Sequence, residues 1–241
     1  MKMRSTGGSM TEPTPRKVKH PEVSIDGRTY LRIPIKTHVI MKDDLLLDVI
    51  KKYASEQINV GDLLFVTEKI VAITQGRAIP LKDIKPRPLA VTLSNYVTKT
   101  PAGIGLGMPE TMEMALRECG TFRILLAAAA SAITKPFGKK GVFYDVAGYR
   151  ATSIDGPTPN TLPPYNQYVV LGPDQPDTVA KKISESLGDI KVAIVDINDL
   201  SGTVLGVSHK SIDKSLVVKI LKDNPLGQDH EQTPLGIIRK L

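Results

Sequence analysis

Glu68, Lys69 and Arg77 stand out in the stretch 61–79, GDLLFVTEKIVAITQGRAI, where charged side chains interrupt two apolar runs. Leu63 to Val66 reads as a short buried strand and Ile70 to Ile73 as a second, with Gln75-Gly76-Arg77 as the turn that closes the pair. This pattern sets charges at the edge of a buried sheet, where a ligand can be met. Half-buried charges need partners, and a lysine with an arginine suits an anion. A plain surface Glu–Lys pair is the competing reading. A second polar group closes the apolar run Lys191 to Ile197 and reads Asp196-Ile-Asn-Asp199-Leu-Ser-Gly202. A strand that ends in carboxylates presents the hard oxygen donors a divalent cation takes. On extended backbone Asp196 and Asn198 share one face and Asp199 lies on the other. Asp199 could equally cap a helix or a turn. Asp155, in Ser153-Ile-Asp155-Gly-Pro157, is a further carboxylate in a string that also reads as an ordinary turn. His230 has no His or Cys partner nearby and reads as a surface residue.

The elements that must position these groups follow from periodicity. Tyr30 to Ile35 alternates, and Pro34 makes it an edge or terminal strand. Asp43 to Tyr53 is an amphipathic helix with acids at its start and lysines near its end, as the helix dipole prefers. Helices are expected at 89–96, 110–118 and 122–133, the second opened by Pro109-Glu110. Gly141 to Val146 reads as a strand. The stretch 149–176, rich in Gly, Pro, Asn and Tyr, reads as a long loop of the kind that is functional or disordered. A helix from Asp177 to Leu187, the strand Lys191 to Ile197, a helix from Ser211 to Leu221 and a final strand at 235–238 complete the chain. Gly103-Ile-Gly-Leu-Gly107 superficially resembles a phosphate-cradling loop. It lacks both a GKS/T ending and a strong strand before it, and reads as a connector. Irregular alternation of helices and strands, joined by long loops, points to an α+β fold with mixed sheets rather than a doubly wound one.

Composition narrows the function classes. At 241 residues, 41% apolar and 24% charged, the chain has the make-up of an ordinary globular protein of one or two domains. Its longest apolar run, Ile124 to Ile133, falls well short of the ~20 residues that cross a bilayer. The first ten residues carry positive charge with no apolar segment behind it, unlike a signal peptide, and 1–22 is expected to be a mobile tail. The single cysteine, Cys119, excludes an internal disulfide and a multi-cysteine metal site, and makes a cytoplasmic location the default. A net charge of +7 invites a nucleic-acid reading. The basic residues are scattered, however, and no aromatic–basic interleaving offers a stacking platform, so nucleic acid is not expected.

The string GD-LLFV-TEK-IVAI-TQ-GR resembles the opening motif of the coenzyme F420-0:gamma-glutamyl ligase family. Four further segments resemble that family in the same order: Ala147-Gly148 followed by Asp155, the VAIVDIND run ending in Gly202, Gly206-Val-Ser208, and Leu226-Gly-Gln228 followed by Pro234 and Ile237-Ile-Arg239. The resemblance covers most of residues 30–241. It implies a two-lobed subunit with a family-like fold and a homodimer. The activity it implies joins L-glutamate to a carboxylate of F420-0, or a related acceptor, through an acyl phosphate made with GTP. Mg²⁺ or Mn²⁺, often with K⁺, would assist. Carried over by position, Asp155, Asp199 and Gln228 would hold metal, with Gln232 in reserve. Glu68, Lys69 and Arg77 would serve the nucleotide or acidic substrate. The chain departs from the family pattern at three places. Leu200 stands where a threonine ligand is expected, Arg150 where the loop aspartate is expected, and Thr203-Val-Leu replaces an Arg-Pro-Trp-Arg element. A non-catalytic or differently tasked nucleotide- or metal-binding protein on the same fold is therefore the alternative.

Overall fold

The computed structural model describes residues 20–97, 105–139, 141–158, 161–198, 202–227 and 231–241. The stretch 1–19, Asp199, Gln228 and His230 lie outside them, as do Gly103 and Ile104 of the Gly-rich connector.

Alternation of apolar side chains builds the central sheet. Strands β1 (Glu22–Ile25), β2 (Arg28–Ile35), β3 (Leu63–Thr67), β6 (Lys191–Ile197), β7 (Gly202–Val207) and β8 (Leu235–Lys240) hydrogen-bond in the order β1-β2-β8-β3-β6-β7. All pairings are antiparallel except β3 with β6, which run parallel with Thr67 opposite Val195. Successive residues of β3 enter opposite cores. Leu64 and Val66 join Val192, Ile194 and Ile237 on one face, and Phe65 joins Ala193 and Val195 on the other. Helices α1 (Leu46–Ala54), α2 (Glu68–Thr74) and α8 (Pro176–Ser186) cover the first face, and α9 (Lys214–Leu221) covers the second. Gly236 makes room for Phe65, since a Cβ there would lie 2.3 Å from the phenyl ring. The mixed sheet with packed helices is the α+β architecture expected from the sequence.

A third core lies among α3 (Pro88–Ser94), α4 (Pro109–Cys119), α5 (Thr121–Thr134), α6 (Val142–Ala147) and α7 (Tyr149–Thr152). A two-stranded sheet of β4 (Ala78–Pro80) and β5 (Tyr168–Val170) ties this helical half to the rest. Met112, Leu116 and Ile124 are fully or almost fully buried there.

Tyr30 to Ile35 lies between β1 and β8 rather than at the sheet edge, with Pro34 beyond the end of the β1 pairing. Two further segments differ from the sequence expectation in type. Ile70 to Ile73 is not a second strand but the body of α2. A short run of buried β-branched residues has no periodicity to separate strand from helix, and packing on β3 and β6 decided the matter. Gly141 to Val146 likewise forms α6 instead of a strand, its apolar side chains turned into the helical core. The long loop carries α7 and β5 and is partly regular. Ser211 precedes α9, whose N-cap is Asp213, and that carboxylate accepts a hydrogen bond from the Leu216 amide at 3.1 Å. The described tail residues are held: the Arg32 amide donates to the Pro21 carbonyl at 2.7 Å, and β1 begins at Glu22.

Candidate active site

Because β3 and β6 are parallel neighbours, their carboxyl ends open at the same edge of the sheet, the place where ligands of open α/β sheets are met. Thr67 closes β3 and passes directly into α2, which places Glu68 and Lys69 at that edge. Asp196 reaches it from β6. Asp155 comes from the helical half, held by a reciprocal backbone pair with Val170: the Asp155 amide donates to the Val170 carbonyl at 2.8 Å and the Val170 amide returns the bond at 2.9 Å. The turn reading of Asp155 thus gives way to a single β-bridge that presents its side chain.

The Lys69 ammonium lies 2.9 Å from Asp155 Oδ2. Burial pushes the Glu68 carboxyl up to about 8, and the neighbouring Asp196 and Asp155 charges push the same way. Asp196 is also raised, by burial and then by Asp155, with Lys69 opposing. Burial works against the Lys69 ammonium, but Asp155 and Glu68 outweigh it and hold its pKa above the usual lysine value. Three carboxylates therefore share one cation, an arrangement that repels itself when fully ionised and welcomes additional positive charge. A strongly perturbed glutamate gathered with two aspartates at a strand end is the kind of arrangement found at functional sites.

Among the described residues, no three His, Cys, Asp or Glu side chains stand close enough to hold a metal ion by themselves. The donor chemistry still fits a divalent cation in kind, since Asp155 and Asp196 are hard oxygen donors already crowded by like charge. The two other residues expected to ligate, Asp199 and Gln228, belong to stretches outside the described ones. Of the expected residues, then, Glu68, Lys69 and Asp155 come together, and Asp196 joins them.

Arg77 sits apart from this group. Its Nη2 is 2.5 Å from Glu118 Oε2, and its Nε donates to the Gly172 carbonyl at 2.6 Å, which ties β4 to α4 and to the segment after β5. It borders a cavity of about 340 Å³ lined also by Glu118, Tyr149, Arg150, Asp174 and residues 203–205 of β7. The cavity adjoins the acid group. Thr203 on its wall pairs with Asp196 in the sheet, and Tyr149, whose pKa burial raises, feels the charges of Glu68, Asp196 and Arg77. Arg150, Glu118 and Asp174 were not singled out from the sequence; their only signal was Arg150 in place of the expected loop aspartate. Ala147-Gly148 has a backbone explanation. Gly148 joins α6 to α7 at φ +86°, and a Cβ there would meet the Arg123 guanidinium at 2.8 Å. Cys119 ends α4 half-buried against the helical core, its thiol pKa raised by burial.

A mixed sheet with a charged group at the carboxyl ends of its parallel pair, beside a polar cavity, is the arrangement of a small-molecule enzyme. The model of the F420-0:gamma-glutamyl ligase family matches residues 34–212. The chain is also 26% identical over 240 aligned positions, 87% of its length and 85% of the relative's, to a protein of Methanopyrus kandleri named Coenzyme F420:L-glutamate ligase. The chain belongs to the F420-0:gamma-glutamyl ligase family and is a ligase. No helix among the described residues is long and apolar enough to cross a membrane.

Proposed function

We propose that this ligase joins the amine of L-glutamate to a carboxylate of F420-0 or a related acceptor. The terminal phosphoryl group of GTP passes to the acceptor carboxylate, releasing GDP. The amine then attacks the acyl carbon and displaces inorganic phosphate, leaving an amide. The observation that carries the reading is the meeting of Glu68, Lys69, Asp155 and Asp196 at the ends of β3 and β6. The match to the ligase family and to the Methanopyrus kandleri protein supports it.

Phosphoryl transfer demands positioning and charge neutralisation more than covalent help. Asp155 and Asp196, together with Asp199 and Gln228, would hold Mg²⁺ or Mn²⁺, which neutralises triphosphate charge when bound. K⁺ would accompany it. Lys69 supplies a fixed positive charge to the anionic reactants, and Asp155 orients its ammonium. Arg77, clamped to Glu118 and Gly172, shapes the wall on the acidic-substrate side. Glu68, whose carboxyl holds a proton well above the usual carboxylate range, can exchange it beside the reacting groups.

Two further parts of the reading concern assembly and location. Phe122 of α5 and Phe137 of the 3-10 turn that follows it face outward at 82% and 80% exposure, with Leu126 and Ile133 of α5 exposed between them. An apolar stripe of this kind suits burial against a second copy in a homodimer. Small anionic substrates and the lack of a spanning helix among the described residues suit a cytoplasmic enzyme.

The direct test supplies purified protein with F420-0, L-glutamate, GTP and Mn²⁺, and follows inorganic phosphate together with product mass. Phosphate release that needs both acceptor and glutamate, with a mass gain of one glutamyl residue, is the expected result. Phosphate release without an amide product would overturn the reading.

A further inference from the structure

The two guanidiniums of the cavity beside the acid group are held very differently. Arg77 is 20% exposed and clamped at 2.5 and 2.6 Å. Arg150 is 57% exposed, and its two contacts are long and divided between partners: Nη1 to Glu118 Oε2 at 3.5 Å and Nη2 to Asp174 Oδ1 at 3.2 Å. A guanidinium fork is best met by one planar carboxylate accepting two parallel bonds, and neither Glu118 nor Asp174 does this for Arg150. Asp174 is held in its turn by Gln75, whose Nε2 donates to the Asp174 carbonyl at 2.9 Å and whose Oε1 accepts from the Asp174 amide at 2.8 Å. Gln75 thus fixes the Asp174 backbone beside the cavity, while the Arg150 side chain remains more than half exposed.

Part of the cavity lining comes from β7, the end strand of the six-stranded sheet. Its ladder with β6 is irregular between Ile194 and Val195, so that Val204 opposes Val195 while Gly206 opposes Ile194, and Leu205 is the extra residue. A bulge beside a site re-aims side chains, and here it falls among residues 203–205 that line the cavity. Gly206 lets this strand close onto the first turn of α8, since a Cβ there would sit 2.3 Å from the Pro176 backbone.

Size and sign select the occupant. A volume of about 340 Å³ is at the low end of small-molecule pockets, which run from about 300 to 1,000 Å³. Glu118 and Asp174 stand beside Arg150, so the walls offer both signs of charge. Such walls suit a zwitterion with a free carboxylate and oppose a polyphosphate. We propose that this cavity is the subsite for a free carboxylate of a glutamate unit, and that Arg150 is the residue that selects it. The assignment rests on the ligase reading, in which an amino acid must be held beside the acid group with its unreacting carboxylates recognised. Thr203 and Tyr149, which border both sites, provide that adjacency. The same carboxylate chemistry is offered by incoming L-glutamate and by a glutamyl tail already on the acceptor.

Steady-state amide synthesis by the full chain, with each substrate varied in turn, separates these cases. Arg150→Gln is expected to raise KM for L-glutamate about ten- to a hundredfold, the worth of a charge-assisted hydrogen bond, with a smaller change in kcat. Arg150→Lys, which keeps the charge and loses the fork, is expected to fall between. A rise confined to KM for a glutamylated acceptor would place the acceptor's tail in the cavity instead. Unchanged KM values for both substrates in an active Arg150→Gln enzyme would overturn the proposal. If the wild type makes no amide, the ligase reading fails on its own. Calorimetric titration of wild type and Arg150→Gln with L-glutamate and L-glutamine, which needs no turnover, then decides the subsite. Glutamate binding that the variant loses upholds it, and equal binding by both proteins rejects it. Circular dichroism of both variants checks that they fold.

Discussion

Lys69 Nζ and Asp155 Oδ2 meet at 2.9 Å, joining the first turn of α2 to the β-bridge at the edge of the helical half. The two side chains keep 38% and 54% of their surface exposed, and although the ammonium is partly desolvated among the neighbouring acids, an ion pair this open to solvent adds only about 0–1 kcal/mol to folding. Lys69→Met is therefore expected to leave the thermal midpoint almost unchanged and to lower kcat/KM roughly a hundredfold, the scale on which a preorganised charge acts in a reaction. Differential scanning calorimetry beside a phosphate-release assay measures both. A large fall in stability with activity intact would show the pair to be structural.

Glu68 supports a pH prediction. Its folded-state pKa of about 8 lies above the ordinary glutamate value. The folded protein thus holds a proton that the unfolded chain releases. Stability is greatest below the unfolded pKa and declines as pH rises toward 8, levelling off above it. Glu68→Gln should remove this part of the decline. Chemical unfolding from pH 5 to 9 would show it as a flatter curve than wild type, and identical curves would count against the shift. Mn²⁺ is expected to stabilise wild type more at pH 8.5 than at pH 6, because the ionised carboxylates then offer more charge to it.

Glu113 makes the opposite case. Burial alone would raise its carboxyl, but hydrogen bonds from Arg117 and Arg87 win and hold it below the usual carboxylate range. The geometry is close: Arg117 Nε lies 2.8 Å from Oε1 and Arg87 Nε 3.0 Å from Oε2, and the Glu113 side chain is almost fully buried. This contribution is complete above the unfolded pKa and lost as pH falls through the folded one. Glu113→Ala is expected to cost about 2–3 kcal/mol near neutrality, less in strong acid, since the buried bonds are charge-assisted. Urea titrations at pH 7 and pH 3.5 would compare the two.

Gly206→Ala tests the wall of the cavity. The added methyl meets the Pro176 backbone, which cannot rotate away as a side chain would. Overpacking of this kind costs about 1–3 kcal/mol, and here it also parts β7 from α8. A lowered midpoint with a raised KM for L-glutamate is expected. A variant as stable as wild type would mean that the strand can shift freely.

Phe122→Ser with Phe137→Ser tests the outward face of α5 and the 3-10 turn after it. Light scattering on the eluting protein should give twice the chain mass for wild type and the single-chain mass for the double variant. A wild-type monomer at micromolar concentration would reject the face as a dimer contact.

Much of the framework was legible because it depends on local pattern. Lys191 to Ile197 was read with the boundaries it has, since a central strand buried on both faces is a continuous apolar run. The helices 110–118 and 122–133 announced themselves through Pro109 and through their length. Ile70 to Ile73 and Gly141 to Val146 were misread because runs this short carry no distinguishing period. Glu68 and Lys69 were visible as charges next to apolar runs and Asp155 through the family resemblance, whereas Arg77 was visible with its role half hidden: its guanidinium spends its bonds on Glu118 and Gly172.

The sequence by itself determined the class of fold, the buried strands and the presence of acids and a lysine at strand ends, because hydrophobic period and charge placement act within a few residues. Tertiary structure alone decided which of these charges meet. The parallel pairing of β3 with β6 set Glu68 beside Asp196, the bridge to Val170 carried Asp155 to Lys69, and the tertiary fold brought Arg150 and residues 203–205 of β7 to the lining of one cavity. Those meetings depend on long-range register, which local preference does not encode.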